Sequence, residues 1–585
     1  MSQSNTARRI QILKYVVFAA LGIILVRLFF IQIIEHNMWV GKAEKQHKGE
    51  ITIMPKRGEI YMMDRGEPVP VVLNQSLYQI TIDPTVTPKG NAEKVVKEYV
   101  SDYVVSGLDI DAEYEKPNSR YALLAKNIPR ELADEVKKAE LIGIFVSRVN
   151  NRVYPEGELA SGLLGFVNDK GEGQYGIEGA LNSVLTGKEG ELKATFSADR
   201  VALSIGDDNV LVPAEDGKNV VLTIDRGLER GVEELAAETI NNTVADHASV
   251  LVMDSSTGEV LAMANLPNYD PDKFYEVTDA SLYLNQVTDV PYEPASICKS
   301  FAFSAAINEG VMDAGTTYYN QGFEIVDGWR IQNAEQRASL LGPLTMKDAL
   351  YWSLNTGSIY ALKLLGGDSS AINQAGREKL YDYYYNKFKL GNRTGIELYD
   401  AEGFIPDPNE GWGRDSVYAN LTFGQNLGIT MIQTAAAWSA VINGGVWRTP
   451  TVIKGTIENG EFTFGAHEGA KEEQILKPET SLMMREMLIN NRSFKLRNGI
   501  DRPGYDVGGK SGTAQVIRDG RYDDTMSETV GSYIGFVAPA GEVPKYVIMV
   551  KMWGEGQYLD GGMASNLFDS VSNYLIDYLK IKPGA

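Results

Sequence analysis

A serine and a lysine, Ser296 and Lys299, stand three positions apart at the start of an apolar segment in the middle of the chain. If Pro294 lies in the first turn of a helix, the hydroxyl and the amine share one helix face. A serine hydroxyl is a poor nucleophile until a neighbour takes its proton, and a desolvated lysine can be neutral enough to accept that proton. The pair therefore indicates covalent catalysis by a serine that an amine activates.

The residues after Lys299 predict a buried helix that holds this pair rigidly. Ser300 to Asn308 is apolar on nearly every face, and Gly310 provides a stop signal. The N-terminus of such a helix also presents the positive end of its dipole to a developing anion. The segment thus predicts a nucleophile fixed at the start of a core helix.

A second hydroxyl and an amide follow at Ser353 and Asn355, two residues apart in the stretch Trp352–Thr356. On a loop, the two side chains can face one cleft. We therefore expect them to complete the site around Ser296.

A third group of polar residues opens a predicted strand, Ser511 to Ile517, at Lys510, Ser511, Gly512 and Thr513. Alternation along the strand puts Lys510 and Gly512 on one face and the two hydroxyls on the other. Gly512 leaves room for a substrate along the strand edge. A fixed cation and hydroxyls at this place would bind a substrate carboxylate.

Two glycine-rich stretches match nucleotide-binding patterns in sequence letters alone. Residues 504–511 fit G-x-x-x-x-G-K-S, but a phosphate loop needs an apolar strand before it and a helix after it. Here a polar stretch precedes the match and a strand-like stretch follows it. Residues 171–176 fit G-x-G-x-x-G without a surrounding βαβ unit. Both contexts argue against a nucleotide site.

Composition excludes several further classes of protein. The 585 residues are 44% hydrophobic and carry a formal charge of -21, which predicts two or three globular cores and argues against a nucleic-acid partner. Cys298 is the single cysteine, so no intrachain disulfide can form. The four histidines have neither metal-ligand nor triad spacing. We therefore expect no metal, no cofactor and no Ser-His-Asp triad.

An apolar run from Tyr15 to Ile34 is long enough to cross a bilayer as a helix. Arg8, Arg9 and Lys14 precede it, which predicts that residues 1–14 stay in the cytoplasm and that the chain after residue 34 lies outside. A cleaved signal peptide is the alternative. The run is longer than such peptides carry, and no convincing cleavage site follows it.

Hydrophobic patterns divide the rest of the chain into two regions, and alternating apolar residues mark most of the strands. In the first region we expect strands at Ile51–Met63, Val71–Leu73 and Tyr78–Ile82 and helices at Arg130–Ala139 and Ile177–Leu185. In the second we expect strands at Ser249–Met253, Glu259–Ala264, Ser511–Ile517, Ser532–Val537 and Tyr546–Met552, then a helix at Ser565–Leu579. This order predicts one antiparallel sheet built from both ends of a domain, with a helical insertion that carries Ser296.

The ordered set Ser-x-x-Lys, Ser-x-Asn and Lys-Ser-Gly-Thr resembles the penicillin-recognising serine acyltransferases. Further motifs narrow the resemblance to class B penicillin-binding proteins: Arg57-Gly-Glu-Ile-Tyr61 with Asp64-Arg-Gly66, Arg152-x-Tyr-Pro-x-Gly157, Gly173-x-x-Gly-Ile-Glu178, Thr257-Gly-Glu259 before Ala262-Met-Ala264, and Phe423-Gly-Gln425 with Thr430. These motifs extend over nearly the whole chain.

The resemblance implies an α+β architecture in three parts. It comprises a membrane helix at residues 15–34, an extended mixed pedestal domain of the penicillin-binding-protein dimerisation type at 35–217, and a transpeptidase domain at 218–585. The last part would contain a five-stranded antiparallel sheet flanked by helices. One departure from the family pattern lies beside the nucleophile, where Ala295 replaces the usual glycine.

The resemblance also assigns roles to the motif residues. Ser296 would be the acylated nucleophile and Lys299 its base, while Ser353 and Asn355 would relay protons and hold the peptide backbone. Lys510, Ser511 and Thr513 would bind the substrate's terminal carboxylate, and Gly512 would belong to the same substrate-binding strand. The backbone N–H groups of Ser296 and Thr513 would form the oxyanion hole.

The function implied is a membrane-anchored serine D-Ala-D-Ala transpeptidase that crosslinks peptidoglycan stem peptides and is acylated by β-lactams. Asn355, where elongation-type relatives often have Asp, favours the division type and septal cell-wall synthesis. Its partners would be membrane lipid, a membrane glycosyltransferase of the SEDS type and divisome proteins. The alternatives are a β-lactamase or β-lactam sensor on the same fold, an elongation-type transpeptidase and an inactive division scaffold.

Overall fold

The computed structural model describes residues 3–39, 48–105, 107–116, 119–195, 210–465, 469–518, 521–522 and 527–584. Two compact units make up this part of the chain. The first comprises residues 1–57 and 186–217, and the second comprises residues 58–185 and 218–585.

The first unit contains a long apolar helix and a small sheet. The helix runs over Gln3–Phe29 and continues as a π-helical segment, Phe30–Ile34. Its stretch Arg8–Ile34 is long and apolar enough to cross a membrane, and side chains such as Ile23 are exposed along it. The predicted membrane-length helix is therefore confirmed as a helix. The small sheet is antiparallel, with the strands Lys48–Ile53, Gly190–Thr195 and Val210–Val212.

The single strand expected over Ile51–Met63 is wrong. Two strands take its place, Lys48–Ile53 and Ile60–Asp64. Pro55 lies between them and cannot donate a ladder hydrogen bond, because it has no backbone N–H. Conversely, the two strands expected at Val71–Leu73 and Tyr78–Ile82 form one continuous strand, Glu67–Ile82.

In the second unit, a seven-stranded mixed sheet contains strands from distant parts of the chain. Asn219–Asp225 pairs in parallel with Ile60–Asp64 and antiparallel with Ile453–Glu458. In spatial order the strands are Glu461–Phe464, Ile453–Glu458, Asn219–Asp225, Ile60–Asp64, Glu67–Ile82 and Ala122–Ile128, with Ile144–Val153 also paired to Glu67–Ile82. The domain division at residues 217 and 218 stays a prediction.

A buried ion pair connects two of the motifs that carried the resemblance. Arg152 lies near the end of the strand Ile144–Val153 and is almost fully buried, and its Nε donates to the carboxylate of Glu178 at 2.6 Å. Glu178 lies in the short helix Gly176–Ala180. A second short helix, Asn182–Thr186, follows, so the single helix expected over Ile177–Leu185 is wrong.

The second unit also holds the five-stranded sheet that the sequence predicted, which we call the central sheet. All its pairings are antiparallel. In spatial order its strands are Val260–Leu266, His247–Asp254, Tyr546–Trp553, Thr529–Pro539 and Tyr505–Gln515. Tyr505–Gln515, called the edge strand below, starts well before the predicted Ser511, so Lys510 to Thr513 lie inside the strand rather than at its beginning.

Helices cover both faces of the central sheet. Arg226–Asn241 and Gly561–Tyr578 pack on one face, where Val250 and Phe568 belong to one apolar cluster. Leu251, the next residue along its strand, points to the other face and joins a larger cluster with Phe301 and Trp438. The longer helices on that second face are Lys299–Asn308, Asn355–Leu365, Met431–Ile442 and Pro478–Asn491. The predicted α+β class is confirmed.

Shorter elements connect this framework. The remaining helical segments are Lys89–Lys94, Val95–Tyr99, Ser101–Tyr103, Ile110–Glu115, Arg130–Lys138, Ser161–Leu164, Pro271–Glu276, Ala280–Tyr283, Ala295–Cys298, Ala338–Leu340, Met346–Tyr351, Gln374–Tyr381, Asp382–Lys387, Asp415–Leu421 and Ser493–Arg497. The two-stranded pairs are Phe166–Val167 with Gly173–Gln174, Thr317–Asn320 with Gly342–Thr345, Phe323–Val326 with Trp329–Gln332, Val446–Arg448 with Glu472–Gln474, and Ile517–Arg518 with Arg521–Tyr522.

Candidate active site

The nucleophile segment begins with one 3₁₀ turn, Ala295–Cys298, which leads directly into the helix Lys299–Asn308. Side chains at positions i and i+3 eclipse each other in a 3₁₀ helix, so the backbone itself brings Ser296 and Lys299 together. Ser296 is half-buried, whereas Lys299 is 1% exposed. The hydroxyl therefore faces the cleft and the amine approaches it from the protein interior.

The Lys299 amine is the centre of the hydrogen-bond arrangement. Its Nζ donates to Ser296 Oγ at 2.9 Å and lies 3.1 Å from Ser353 Oγ. It also donates to the backbone carbonyl of Ser353 at 2.6 Å. One amine thus contacts both hydroxyls that the sequence had placed at this site.

Ser353 presents two oxygens to the same amine from a short connection between two helices, Met346–Tyr351 and Asn355–Leu365. Its backbone is left-handed, with φ of 54°, a conformation that is unfavourable for a residue with a side chain. Such strained residues are commonly found at functional sites.

Asn355 is the first residue of its helix, and its amide side chain is already engaged. Nδ2 donates to the carbonyl of Gln332 at 2.9 Å. Gln332 ends the strand Trp329–Gln332, so this contact links the Ser-x-Asn motif to a hairpin at the side of the site.

Burial sets the charge state of the two lysines. It lowers the pKa of Lys299 well below the ordinary value, and the nearby positive charge of Lys510 lowers it further. Burial also lowers the pKa of Lys510 to about 7. Lys299 is therefore able to act as a neutral base, while Lys510 lies close to the point at which it gains or loses its charge.

The edge strand packs directly on the nucleophile segment at Gly512. A Cβ atom at this position would collide with the carbonyl oxygen of Pro294. The room expected there for a substrate is thus occupied by the protein's own backbone. Lys510, on the same strand face, donates to the carbonyl of Ser511 at 3.0 Å.

The hydroxyls of the edge strand lie on its other face, as the alternation predicts. Thr513 Oγ1 accepts a hydrogen bond from Gly561 N–H at 3.0 Å, at the start of the C-terminal helix. Ser511 lies beside the same glycine, and both side chains are half-buried. Their role in carboxylate binding stays a prediction, as does substrate binding at Gly512.

The glycines of the apparent phosphate-loop match serve packing within the edge strand. A Cβ atom on Gly508 would lie 2.5 Å from the Phe536 ring, and one on Gly509 would lie 2.5 Å from the Tyr533 hydroxyl. Both aromatic residues belong to the neighbouring strand. The matched residues from Tyr505 onward form a straight strand, whereas a phosphate loop is a turn between a strand and a helix.

The sequence did not reveal one group of residues beside the nucleophile. The carboxyl of Glu293 accepts hydrogen bonds from Asn426 N–H and from the Tyr522 hydroxyl, each at 2.8 Å. Glu293 adjoins the Ser-x-x-Lys motif, but its partners are 133 and 229 positions away. Proximity to the motif was the only available signal.

The departure from the family pattern at Ala295 has a visible backbone consequence. Ala295 adopts φ of 49°, in the left-handed region that favours glycine. The loop around Gly424 packs against the carbonyl of the same residue, where a Cβ atom on Gly424 would collide with it. Ala295 therefore holds a strained backbone directly before the nucleophile.

A family model described as the penicillin-binding protein transpeptidase domain matches residues 248–573, more than half of the chain. The chain belongs to this family. A second family model, the penicillin-binding protein dimerisation domain, matches residues 52–222. The predicted resemblance to penicillin-binding transpeptidases is thus confirmed.

Full-length relatives extend this assignment. The chain is 28% identical to Stage V sporulation protein D of Bacillus subtilis, over 100% of its own length and 88% of that protein. It is 25% identical to peptidoglycan D,D-transpeptidase FtsI of Escherichia coli K12, over 97% of its own length and 91% of the relative.

Solved penicillin-binding proteins share the fold. Penicillin-binding protein 3 of Mycobacterium tuberculosis, in a complex with aztreonam, superimposes with a TM-score of 0.66 at 23% identity. The match covers 92% of this chain and 98% of the other. The serine, lysine and strand motifs of this chain thus lie on the architecture that the family resemblance predicted.

Proposed function

We propose that the protein is a membrane-anchored D,D-transpeptidase that crosslinks peptidoglycan stem peptides through an acyl-enzyme on Ser296. The observation that carries this proposal is the buried Lys299 amine, hydrogen-bonded to Ser296 Oγ at 2.9 Å and close to Ser353 Oγ at 3.1 Å. This arrangement provides a nucleophile, a base and a second hydroxyl through which a proton can pass.

Acylation uses these groups in order. Ser296 Oγ attacks the carbonyl carbon of the penultimate D-Ala and gives its proton to the neutral Lys299 amine. The C–N bond to the terminal D-Ala then breaks, and the leaving amine takes a proton delivered from Lys299 by way of the Ser353 hydroxyl. Lys510, Ser511 and Thr513 hold the terminal carboxylate, and backbone N–H groups of Ser296 and Thr513 stabilise the oxyanion.

Transfer reverses the proton path. The amine of a second stem peptide attacks the acyl carbon and loses a proton to Lys299 through Ser353. The ester bond to Ser296 breaks, and its oxygen recovers a proton from Lys299. The products are a crosslinked peptide and free enzyme, so the cycle needs no cofactor.

The division role rests on two further observations. Asn355 occupies the third position of Ser-x-Asn, and a full-length relative carries the name FtsI. In this role the protein works with a SEDS-type membrane glycosyltransferase and with divisome proteins. A fluorescent fusion in the native host is expected at the septum, and labelling confined to the lateral wall would indicate the elongation type.

An exchange assay tests the transpeptidase reaction itself. Full-length protein in detergent is incubated with a stem peptide ending in D-Ala-D-Ala and with a second D-amino acid as acceptor. We expect the acceptor to replace the terminal residue, with loss of the product in Ser296→Ala. Release of D-Ala with water as the only acceptor would instead indicate a hydrolase.

A further inference from the structure

The carboxyl group of Glu293 lies at the centre of a small hydrogen-bonded cluster. Its Oε1 accepts from Asn426 N–H and from the Tyr522 hydroxyl, both at 2.8 Å. The Tyr522 hydroxyl also lies 3.1 Å from Asn426 Oδ1. Each of the three residues therefore contacts the other two, and we call them the Glu293 cluster.

Each member of the Glu293 cluster belongs to a different chain segment. Glu293 stands three residues before Ser296. Asn426 has a left-handed backbone, with φ of 63°, and follows Gly424, which packs on the carbonyl of Ala295. Tyr522 ends the short strand Arg521–Tyr522, which pairs with Ile517–Arg518 after the edge strand. The cluster thus fastens two segments to the one that carries the nucleophile.

The second carboxylate oxygen shows that Glu293 works through its partners. Oε2 is buried and has no hydrogen-bond partner within the described part of the chain. A buried oxygen does not reach a substrate in the cleft. An unpartnered polar atom in the interior costs free energy, so this oxygen does not itself stabilise the fold.

We propose that Glu293 is a positioning residue for acylation, whose carboxyl group holds the Gly424–Asn426 loop and the strand ending at Tyr522 in place beside the segment that carries Ser296. The inference rests on the proposed acylation of Ser296 and names a residue that this chemistry depends on. Losing the carboxyl group slows acylation because two segments packed beside the nucleophile lose their common attachment.

The protonation state of Glu293 changes the strength of its hydrogen bonds to Tyr522 and Asn426. Burial raises the pKa of Glu293 to about 7, although the hydrogen bonds from Tyr522 and Asn426 act in the opposite direction. Tyr522 and Cys298 are titratable groups that interact electrostatically with Glu293. A carboxylate accepts stronger hydrogen bonds than a carboxylic acid, so the attachment tightens as pH rises through about 7.

The test is the second-order rate constant for acylation by a fluorescent penicillin, measured on full-length protein in detergent between pH 5.5 and 8.5. Glu293→Gln keeps a neutral acceptor in place, and Glu293→Ala removes it. We expect Glu293→Ala to be about 10 to 100-fold slower than wild type at pH 7.5, as losing two hydrogen bonds in a preorganised site implies. Glu293→Gln should match wild type at pH 5.5 and fall behind it as pH rises through about 7.

Asp400→Asn is the matched control. Asp400 also accepts from one hydroxyl and one backbone N–H, from Thr394 and Gly395, each at 2.9 Å. Its other carboxylate oxygen is likewise buried without a partner in the described residues, and burial raises its pKa too. Its bonds stay within its own loop, so Asp400→Asn should leave the acylation rate and its pH profile unchanged.

The outcomes separate this inference from the proposed function. Wild-type acylation rates and pH profiles in both Glu293 variants would overturn the positioning role, and so would a slowing of equal size in Asp400→Asn. If Glu293→Ala does not fold, the two single variants Tyr522→Phe and Glu293→Gln replace it. Unchanged acylation rates and pH profiles in both would overturn the positioning role, and slower acylation in both would support it. Absence of any wild-type adduct on Ser296 would contradict the proposed function itself.

Discussion

The Lys299 side chain shows how a residue type gains its function from its surroundings. Lysine is ordinarily a cation, and here burial and the neighbouring Lys510 lower its pKa well below the usual value. The same amine is hydrogen-bonded to Ser296 at 2.9 Å. A group that is neutral and already in contact with the nucleophile has the two properties that a general base needs.

Opposite requirements of the two lysines predict a bell-shaped pH profile for acylation. The rate should rise with pH as Lys299 loses its proton and becomes a base. It should fall again as Lys510, whose burial lowers its pKa to about 7, loses the charge that binds a carboxylate. Measurement in the Glu293→Gln background removes the third titrating group. A flat profile from pH 5.5 to 9 would contradict these roles.

Ala295→Gly should stabilise the protein. A left-handed backbone costs a residue with a side chain about 1 to 2 kcal/mol, and Ala295→Gly removes this cost. Glycine loses more backbone entropy on folding, which offsets only about 0.5 to 1 kcal/mol of that stabilisation. We expect the midpoint of thermal unfolding to rise by about 1 to 2 °C. Ala302→Gly, inside the buried helix, should lower the midpoint. A decrease in Ala295→Gly would mean that the φ of 49° carries no strain.

The sequence predicted those contacts between residues that local backbone geometry determines. Ser296 and Lys299 meet because one helical turn separates them, so their spacing was sufficient. The link between Glu293 and Tyr522 spans 229 positions and arises from tertiary packing, which no spacing rule describes. The same holds for Gly512, where sequence indicated room for a substrate and the fold placed the Pro294 carbonyl.

The edge strand is held beside the nucleophile segment by direct backbone contact. Gly512 packs on Pro294, and Asn491 of a neighbouring helix donates to the carbonyl of Gly509 at 2.8 Å. The strand is thus held on both sides of Lys510. Its amine is buried and lies near enough to Lys299 to lower the pKa of that residue.

Gly512→Ala tests this contact between elements. The added methyl group would meet backbone, which cannot rotate away, so the strand must move from the nucleophile segment. We expect acylation by a fluorescent penicillin to slow by about 100-fold, the loss that a misplacement of roughly 1 Å can cause. Gly315→Ala, whose Cβ atom would have Asp313 Oδ1 as its nearest neighbour at 3.6 Å, is the control and should acylate normally. Equal acylation rates in Gly512→Ala and Gly315→Ala would contradict a role for this contact in acylation.

Element prediction succeeded where hydrophobic patterning was strong. Five strands were expected in the central sheet, and four of them, such as His247–Asp254, are apolar and almost continuously buried. The edge strand has few apolar residues, and its start was misplaced at Ser511 instead of Tyr505. The predicted strand boundaries were wrong where a single residue determines them, as at Pro55. They were also wrong where glycines lie within a strand, as at Gly508 and Gly509. Those glycines look like a turn in sequence, yet each makes space for an aromatic ring of the next strand.

The whole molecule combines an apolar N-terminal helix with a strongly acidic remainder. The helix Arg8–Ile34 is long enough to cross a membrane, and the chain carries a formal charge of -21. Arg8, Arg9 and Lys14 lie before or within its first turns, which favours a cytoplasmic N-terminus. This orientation would bring Ser296 to the side where peptidoglycan lies.

Fusion reporters placed after Ala585 test this topology. Alkaline phosphatase is active outside the cytoplasm, whereas green fluorescent protein exported in unfolded form does not fluoresce there. We expect phosphatase activity without fluorescence in cells that produce the full chain. Fluorescence without phosphatase activity would reverse the orientation and remove the enzyme from its substrate.

Intact-mass spectrometry of the full-length protein after incubation with a penicillin tests the claim that Ser296 forms one stable acyl-enzyme. We expect one stable adduct per chain, located on Ser296 by peptide mapping, absent in Ser296→Ala and formed about 100 to 10,000-fold more slowly in Lys299→Ala. A wild-type protein that forms no adduct would contradict the claim and favour a scaffold. An adduct that decays within seconds through repeated turnover would contradict it in favour of a β-lactam hydrolase.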